Sequence, residues 1–271
     1  MVLFPNAKIN LGLEILRKRT DGYHDIDSVF YPIPLCDALE VVLDPESGKD
    51  QWYYSGLNIP GNSSDNLCSR VLSLLRERAE IPKLNTFLHK SIPMGAGLGG
   101  GSADGSFILK GLNEMFELNL SHHEMERMVF SLGSDCPFFI KNVPVRAESR
   151  GEVNTSIELD LKGKHLVLIC PDIHVSTKEA YSTIVPDDSR ISPADIVKEP
   201  IEQWRDQLRN RFEEYAFQKY PELAKIKQEL YNHGSLYASM SGSGSAFYGV
   251  FKETTDKSPF VQFGSTYSFE L

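Results

Sequence analysis

The chain has 271 residues, of which 41% are hydrophobic and 24% charged, the make-up of a globular protein with one large or two modest domains. Its formal charge of −9 argues against a nucleic-acid surface, which needs a concentrated excess of Lys and Arg, but leaves room for an anion held by backbone N–H groups. No apolar run approaches the ~18 residues of a membrane span. The start, MVLFPNAKINLG, has neither a basic segment followed by an apolar one nor a small-residue cleavage site, so it reads as structure. Cys36, Cys68, Cys136 and Cys170 form no C-x-x-C pair, so neither a disulfide framework nor a zinc site is indicated. A cytoplasmic, bacterial protein is the expectation.

The stretch around Lys8–Leu16 is rich in aliphatic residues with alternation, which suits a strand, and the Asp21-Gly22 turn follows. Asp37–Asp44 has a period near two and predicts another strand. Beyond the turn-rich segment 58–65, Ser64 or Asp65 can cap a helix to about Ala79, with Leu67, Val71, Leu74 and Leu75 on one face. Asn85–Ile92 predicts a strand that runs into a glycine loop. Phe107, Ile108, Leu112, Met115 and Phe116 then recur at helical spacing. Ser121, with Glu124 three residues on, predicts a capping box. His165–Cys170 predicts a buried strand and Ser176–Ile184 a helix, while 185–200 is expected to be a surface connection. Arg205–Tyr220 and Glu222–His233 predict helices, the second closed by Gly234, and Ala246–Phe251 predicts a last strand. A domain boundary is placed near residue 150.

The strongest local signal is Pro93-Met94-Gly95-Ala96-Gly97-Leu98-Gly99-Gly100-Gly101-Ser102, with five glycines in seven residues between a strand and a helix. Glycine lets N–H groups approach a ligand and permits positive φ. A helix starting after Ser102 adds unpaired donors and a positive dipole end, so a triphosphate is the expected occupant. The G-x-x-x-x-G-K-[ST] pattern fails, because Ser102 stands where its Lys belongs. The dinucleotide fingerprint fails too, because the acidic residue in range, Glu117, falls near a helix end. A flexible glycine linker is the bland alternative.

A kinase acting on an alcohol must position the γ-phosphate, stabilise its charge and accept the hydroxyl proton. Lys8 interrupts an apolar strand in Ala7-Lys8-Ile9-Asn10-Leu11, where an unpaired charge is costly. Asp135 sits among small and apolar residues in Leu132-Gly133-Ser134-Asp135-Cys136-Pro137-Phe138-Phe139. A Lys–Asp pair would keep the carboxylate ionised. Taken singly, Lys8 also fits a strand edge and Asp135 a turn or cap.

Together these segments resemble the GHMP kinase superfamily, whose central glycine loop is similar to Pro93–Ser102 and whose C-terminal glycine motif is similar to Met240-Ser241-Gly242-Ser243-Gly244-Ser245. Within it the resemblance is closest to the branch of 4-diphosphocytidyl-2-C-methyl-D-erythritol kinases of the non-mevalonate isoprenoid pathway. Asp21-Gly22-Tyr23-His24, the triple glycine before Ser102, and the segments around Lys8 and Asp135 carry it, from the N-terminus to about residue 249. The resemblance implies an α+β fold of two domains, 1–150 (α/β, with the glycine-rich phosphate loop) and 151–271 (ferredoxin-like), with the active site in the cleft between them. It implies ATP and phosphorylation of the 2-hydroxyl of the cytidyl alcohol, and phosphoryl transfer itself calls for Mg²⁺. Charge and the lack of a long apolar run argue against nucleic-acid and membrane partners, and a monomer or homodimer is expected.

By the same resemblance, Asp135 is the general base and Lys8 its support. Asn66, Lys90, Asp104 and the loop residues Pro93, Met94, Gly95, Ala96, Gly97, Leu98, Gly99, Gly100, Gly101 and Ser102 bind ATP. The resemblance assigns no metal ligand; Ser102 and Asp104 are the candidates. Tyr23, His24, Phe30, Thr177 and Tyr181 bind the cytidine end, with Asn10, Ser241 and Gly242 also on the substrate. A flat cytosine wants aromatic faces and a polar group at its edge, which agrees with Tyr23, Tyr181 and His24. Core packing is the alternative for Tyr23 and Phe30, and a structural hydrogen bond for His24. Asp104 and Gly105 depart from the pattern, since relatives often carry Asn and Ala there. Homoserine and mevalonate kinases of the same superfamily are the competing enzymes, but they need no cytosine pocket. A regulatory protein without turnover would be expected to lack Lys8 or Asp135, and both are present.

Overall fold

The computed structural model describes residues 1–44, 46, 48–61 and 65–271 and divides the chain into two compact units. Unit 1 comprises Met1–Lys8, Leu35–Met94 and Gly99–Val143; unit 2 comprises Ile9–Pro34, Gly95–Leu98 and Pro144–Leu271. Among the described residues no helix is long and apolar enough to cross a membrane.

Unit 1 is built on a four-stranded sheet of β1 (Val2–Leu3), β4 (Ala38–Leu43), β6 (Leu84–Lys90) and β5 (Gln51–Gly56), in that order. β5 runs parallel to β6 and the other neighbours are antiparallel. One face buries Leu39, Val41, Leu84 and Leu88 against α1 (Leu67–Arg76) and α2 (Gly100–Met115), which contribute Val71, Leu72, Leu75, Ile108, Leu109 and Leu112. The α1 cap is Asn66, whose Oδ1 accepts from the Cys68 N–H at 2.9 Å; Asp65 is not the cap, and Ser64 lies outside the described residues. The helix ends at Arg76 and not near Ala79, because the N–H groups of Arg78 and Ala79 both turn back to the Leu75 carbonyl. α3 (His122–Phe130) starts with the capping box of Ser121 and Glu124. The unexpected glycine at 105 has a steric reason: a Cβ there would lie 3.0 Å from Leu67 Cβ, so its absence lets α1 sit close to α2.

Unit 2 carries two sheets. The first has the order β2 (Asn6–Lys18), β3 (His24–Cys36), β7 (Val145–Ser149) and β8 (Val153–Ser156); the second runs β10 (Tyr237–Met240), β11 (Phe247–Phe251), β9 (His165–Cys170) and β12 (Ser265–Glu270). Ile9–Pro34, which the sequence assigns to 1–150, goes with this unit because Ile26–Phe30 pairs with Val145–Ser149 and Leu13 bonds Arg209 and Arg211. The second sheet packs Val167, Ile169, Ala238 and Phe247 against α8 (Phe212–Lys219) and α9 (Pro221–Asn232).

That pairing also breaks the helix expected over 205–220. It is two short pieces, α7 (Trp204–Gln207) and α8, because the N–H of Leu13 donates to Arg209 O at 2.8 Å and that of Arg211 to Leu13 O at 2.9 Å. Segment 185–200 is not wholly a surface connection, since α6 (Pro193–Ile196) buries Pro193, Ala194 and Ile196. The last strand is β12, not 246–251: Thr266–Glu270 alternates polar with aromatic residues and pairs antiparallel with β9.

Candidate active site

The Lys8 side chain, 3% exposed on β2 between buried Ala7 and Ile9, meets Asp135 with Nζ 3.3 Å from Oδ2. Asp135 keeps 33% of its side-chain surface open. Its turn precedes α4 (Phe138–Lys141) and is fixed to α2, because the Ser106 hydroxyl donates to the Cys136 carbonyl at 2.7 Å. The result is an ammonium in the dark beside a carboxylate in reach of a ligand. Burial pushes the neighbouring Cys136 thiol up to about 11, so it stays protonated and takes no part as a nucleophile at neutral pH.

The last part of the glycine loop reaches this pair. Gly99 has φ 71°, and a Cβ there would lie 2.9 Å from Phe139 and 3.2 Å from Lys8 Cγ. Gly99 is also the N-cap of α2, with no side-chain cap bond and no acidic residue in the first turn. The helix therefore begins at Gly100, not after Ser102. Glycine places no capping side chain over the N–H groups at the start of α2.

Lys90 ends β6 with 1% exposure, held by Asp37 Oδ2 and by Asp104 Oδ2, the latter at 2.8 Å. Asp37 Oδ1 also accepts from the N–H groups of Ser91 (2.6 Å) and Ile92 (2.9 Å). Burial works against the Lys90 ammonium, but Asp104 and Asp37 overcome it and raise its pKa. Asp104, buried and close to Asp37, is pushed up to about 8 despite Lys90. A cavity of about 160 Å³ lies beside this group, lined by Lys90, Asp104, Asn66, Met94 and Gly101 among others. Asp37 is a residue the sequence reading missed: an acid at the start of a strand looks like a turn residue, and only the fold brings Lys90 to it. Among the described residues no group of three or more His, Cys, Asp or Glu is placed to hold a metal ion.

In unit 2, Gly95–Leu98 is clamped to the second glycine motif. The Ser241 hydroxyl donates to Gly97 O at 2.9 Å, Ala246 N–H to Ala96 O at 3.2 Å, and a Cβ on Gly97 would overlap the Ser241 carbonyl at 1.9 Å. Asn210, also missed, holds that motif through its amide on the carbonyls of Met240 and Gly242, each at 2.8 Å. Asn10 is buried on β2 and donates to Ser28 Oγ at 2.9 Å. Thr177 and Ser243 share a hydroxyl hydrogen bond of 2.7 Å at the start of α5 (Thr177–Thr183). On that helix Tyr181 stacks on His24, with centroids 4.9 Å apart and planes at 20°. Burial, with Lys18 nearby, holds the His24 imidazole below its usual pKa. Tyr23 is 52% exposed, with the Arg150 guanidinium over its ring at 3.7 Å, a contact no sequence signal announces. Phe30 is buried in β3, as core packing would have it.

Residues 66–142 match the GHMP kinases N terminal domain and residues 194–263 the GHMP kinases C terminal domain. The chain is 49% identical to the 4-diphosphocytidyl-2-C-methyl-D-erythritol kinase of Azobacteroides pseudotrichonymphae over 254 residues, covering 93% of this chain and 94% of the relative. It belongs to that family of kinases. The Cytophaga hutchinsonii member is 48% identical, over 93% of this chain and 92% of its own. A crystal structure of a 4-(cytidine 5'-diphospho)-2C-methyl-D-erythritol kinase superposes with a TM-score of 0.84 at 28% identity, covering 99% of this chain and 98% of the other. The chain is thus a kinase with the two-domain α+β fold of the GHMP superfamily.

Proposed function

We propose that this kinase moves the γ-phosphoryl group of ATP onto the 2-hydroxyl of 4-diphosphocytidyl-2-C-methyl-D-erythritol, in the non-mevalonate route to isoprenoid precursors. The names of its relatives support the substrate. The observation that carries the chemistry is the pairing of buried Lys8 with half-open Asp135 at 3.3 Å. Asp135 takes the hydroxyl proton as the alcohol oxygen bonds to the γ-phosphorus; the bond from that phosphorus to the bridging oxygen breaks and ADP leaves. Lys8 holds Asp135 in place through their ion pair and offers its charge to the transferring group.

The phosphates rest on Gly97–Ser102, where the uncapped start of α2 supplies N–H donors. Asn66, Lys90, Asp104 and Met94, with Gly101, line the cavity that takes the rest of the nucleotide. Bound Mg²⁺ would neutralise phosphate charge, with Ser102 and Asp104 as this chain's candidate ligands. For the acceptor, Tyr23, His24 and Tyr181 take the cytosine, with Thr177 beside them and Phe30 as buried support. Asn10, Ser241 and Gly242 serve the polyol end. Free cysteines are consistent with a cytoplasmic setting.

The test is ADP release from Mg²⁺-ATP with the cytidyl alcohol, homoserine or mevalonate as acceptor. Turnover of the cytidyl compound alone supports the reading. Turnover of homoserine or mevalonate without it sinks the substrate assignment, and no turnover with any of them favours a non-catalytic role.

A further inference from the structure

Helix α5 is thinly held: of the residues Thr177–Thr183, Ala180 alone is buried. A helix of two turns has little stability of its own, so its place depends on the contacts it makes. Several of these come from one stripe of α8, where Phe212, Tyr215 and Lys219 stand at i, i+3 and i+7 and share a face. The Phe212 ring meets Tyr181 edge-on, with centroids 4.8 Å apart and planes at 85°. The Tyr215 hydroxyl donates to Glu179 Oε2 at 2.5 Å, and Lys219 Nζ donates to the same oxygen. Lys219 Nζ also donates to the Tyr215 hydroxyl at 2.9 Å, which closes a ring of three groups.

An ion pair between two exposed side chains holds little by itself. Here Tyr215 is buried and supplies the fixed point that such a pair lacks. Lys219 and then Tyr215 hold the Glu179 carboxyl below its usual pKa, so it is charged at neutral pH. Glu179 lies in the chain between Thr177, which bonds Ser243, and Tyr181, which stacks on His24. Rotation of α5 about its axis would slide Tyr181 off His24, and the bonds at Glu179 oppose that rotation.

We propose that Glu179 is a positioning residue for the acceptor: gripped by Tyr215 and Lys219, it fixes the turn of α5 that sets Tyr181 against His24, and so strengthens the hold on a pyrimidine that it does not touch. This rests on the reading of Tyr181 and His24 as the cytosine pocket. No residue read as binding ATP lies on α5 or α8, so the effect falls on acceptor binding.

The experiment is steady-state kinetics of the full chain with Mg²⁺-ATP and the cytidyl alcohol, beside hydrogen exchange of the amides of 177–183. Glu179→Ala is expected to raise the KM for the alcohol about 3–10-fold, with kcat and the KM for ATP within about twofold of the wild type. Tyr215→Phe should raise the same KM, and the double variant no further than the worse single one, because both act through one contact. Lys219→Arg, which keeps the cation, should keep the wild-type KM. The α5 amides should exchange faster in Glu179→Ala than in the wild type. An unchanged KM for the alcohol overturns the proposal, as does unchanged exchange. A rise in both KM values together also overturns it and leaves Glu179 a stabiliser of the fold. A wild type that does not phosphorylate the cytidyl alcohol would defeat the substrate reading instead, and the exchange of α5 would still decide whether Glu179 seats the helix.

Discussion

At Asp135 the decisive contact is one ion pair. Asp135→Asn keeps the shape and removes the proton acceptor, so turnover is expected to fall by about 10²–10⁴-fold. ATP affinity, measured by titration, is expected to change little. Near-normal turnover would remove Asp135 from the role of base. His24 makes a second residue-level prediction. Burial and Lys18 lower its pKa, so the ring is neutral at neutral pH and gains charge only in acid, below the ordinary imidazole value. The KM for the cytidyl substrate should thus be flat near neutrality and rise on acidification, and His24→Ala should remove that dependence while leaving the KM for ATP alone. A profile unchanged in the variant would take His24 out of the pocket. Lys8 and Asp135 were legible as oddities, a charge in an apolar strand and an acid among small and apolar residues. Their 3.3 Å separation was not, because 126 residues of chain lie between positions 8 and 135.

Among the elements, the start of α2 is the most sensitive. Gly99 has φ 71° with Phe139 2.9 Å from where a Cβ would be, so Gly99→Ala meets both backbone strain and a clash. It is expected to cost about 1–2 kcal/mol or more, read as a lower thermal midpoint, and to raise the KM for ATP. A variant with unchanged midpoint and KM would mean that the loop relaxes freely. Asn66→Ala removes the α1 cap and is expected to cost about 1 kcal/mol in a denaturant titration. The Ser121 capping box could be seen in the chain because its two residues are local. The α1 cap was misplaced because Ser64, Asp65 and Asn66 are all competent caps and propensity does not choose among them. The break between α7 and α8 was invisible because its cause, the pairing with Leu13, comes from near the other end of the chain.

On the scale of the whole molecule, the Asp37–Lys90–Asp104 group couples stability to pH. Burial, aided by Asp37 and opposed by Lys90, raises Asp104 to about 8. As pH rises from the ordinary carboxylate range, the unfolded chain loses a proton that the folded chain keeps, so this contribution is present in acid and is lost as pH climbs through about 8. Asp104→Asn should flatten that part of the curve of denaturant midpoint against pH; an identical slope in the variant would assign the dependence elsewhere. By itself the chain determined the kinase class, the glycine loop between a strand and a helix, and the capping box of α3, because glycine runs, caps and apolar periods act through neighbours a few residues apart. Only the tertiary structure decided that Ile9–Pro34 goes with the residues after 143, that Asp37 closes on Lys90, and that Asp104 is left with one empty oxygen. Strand pairing and the burial of charge are settled by groups remote in the chain, and their partners carry no local mark.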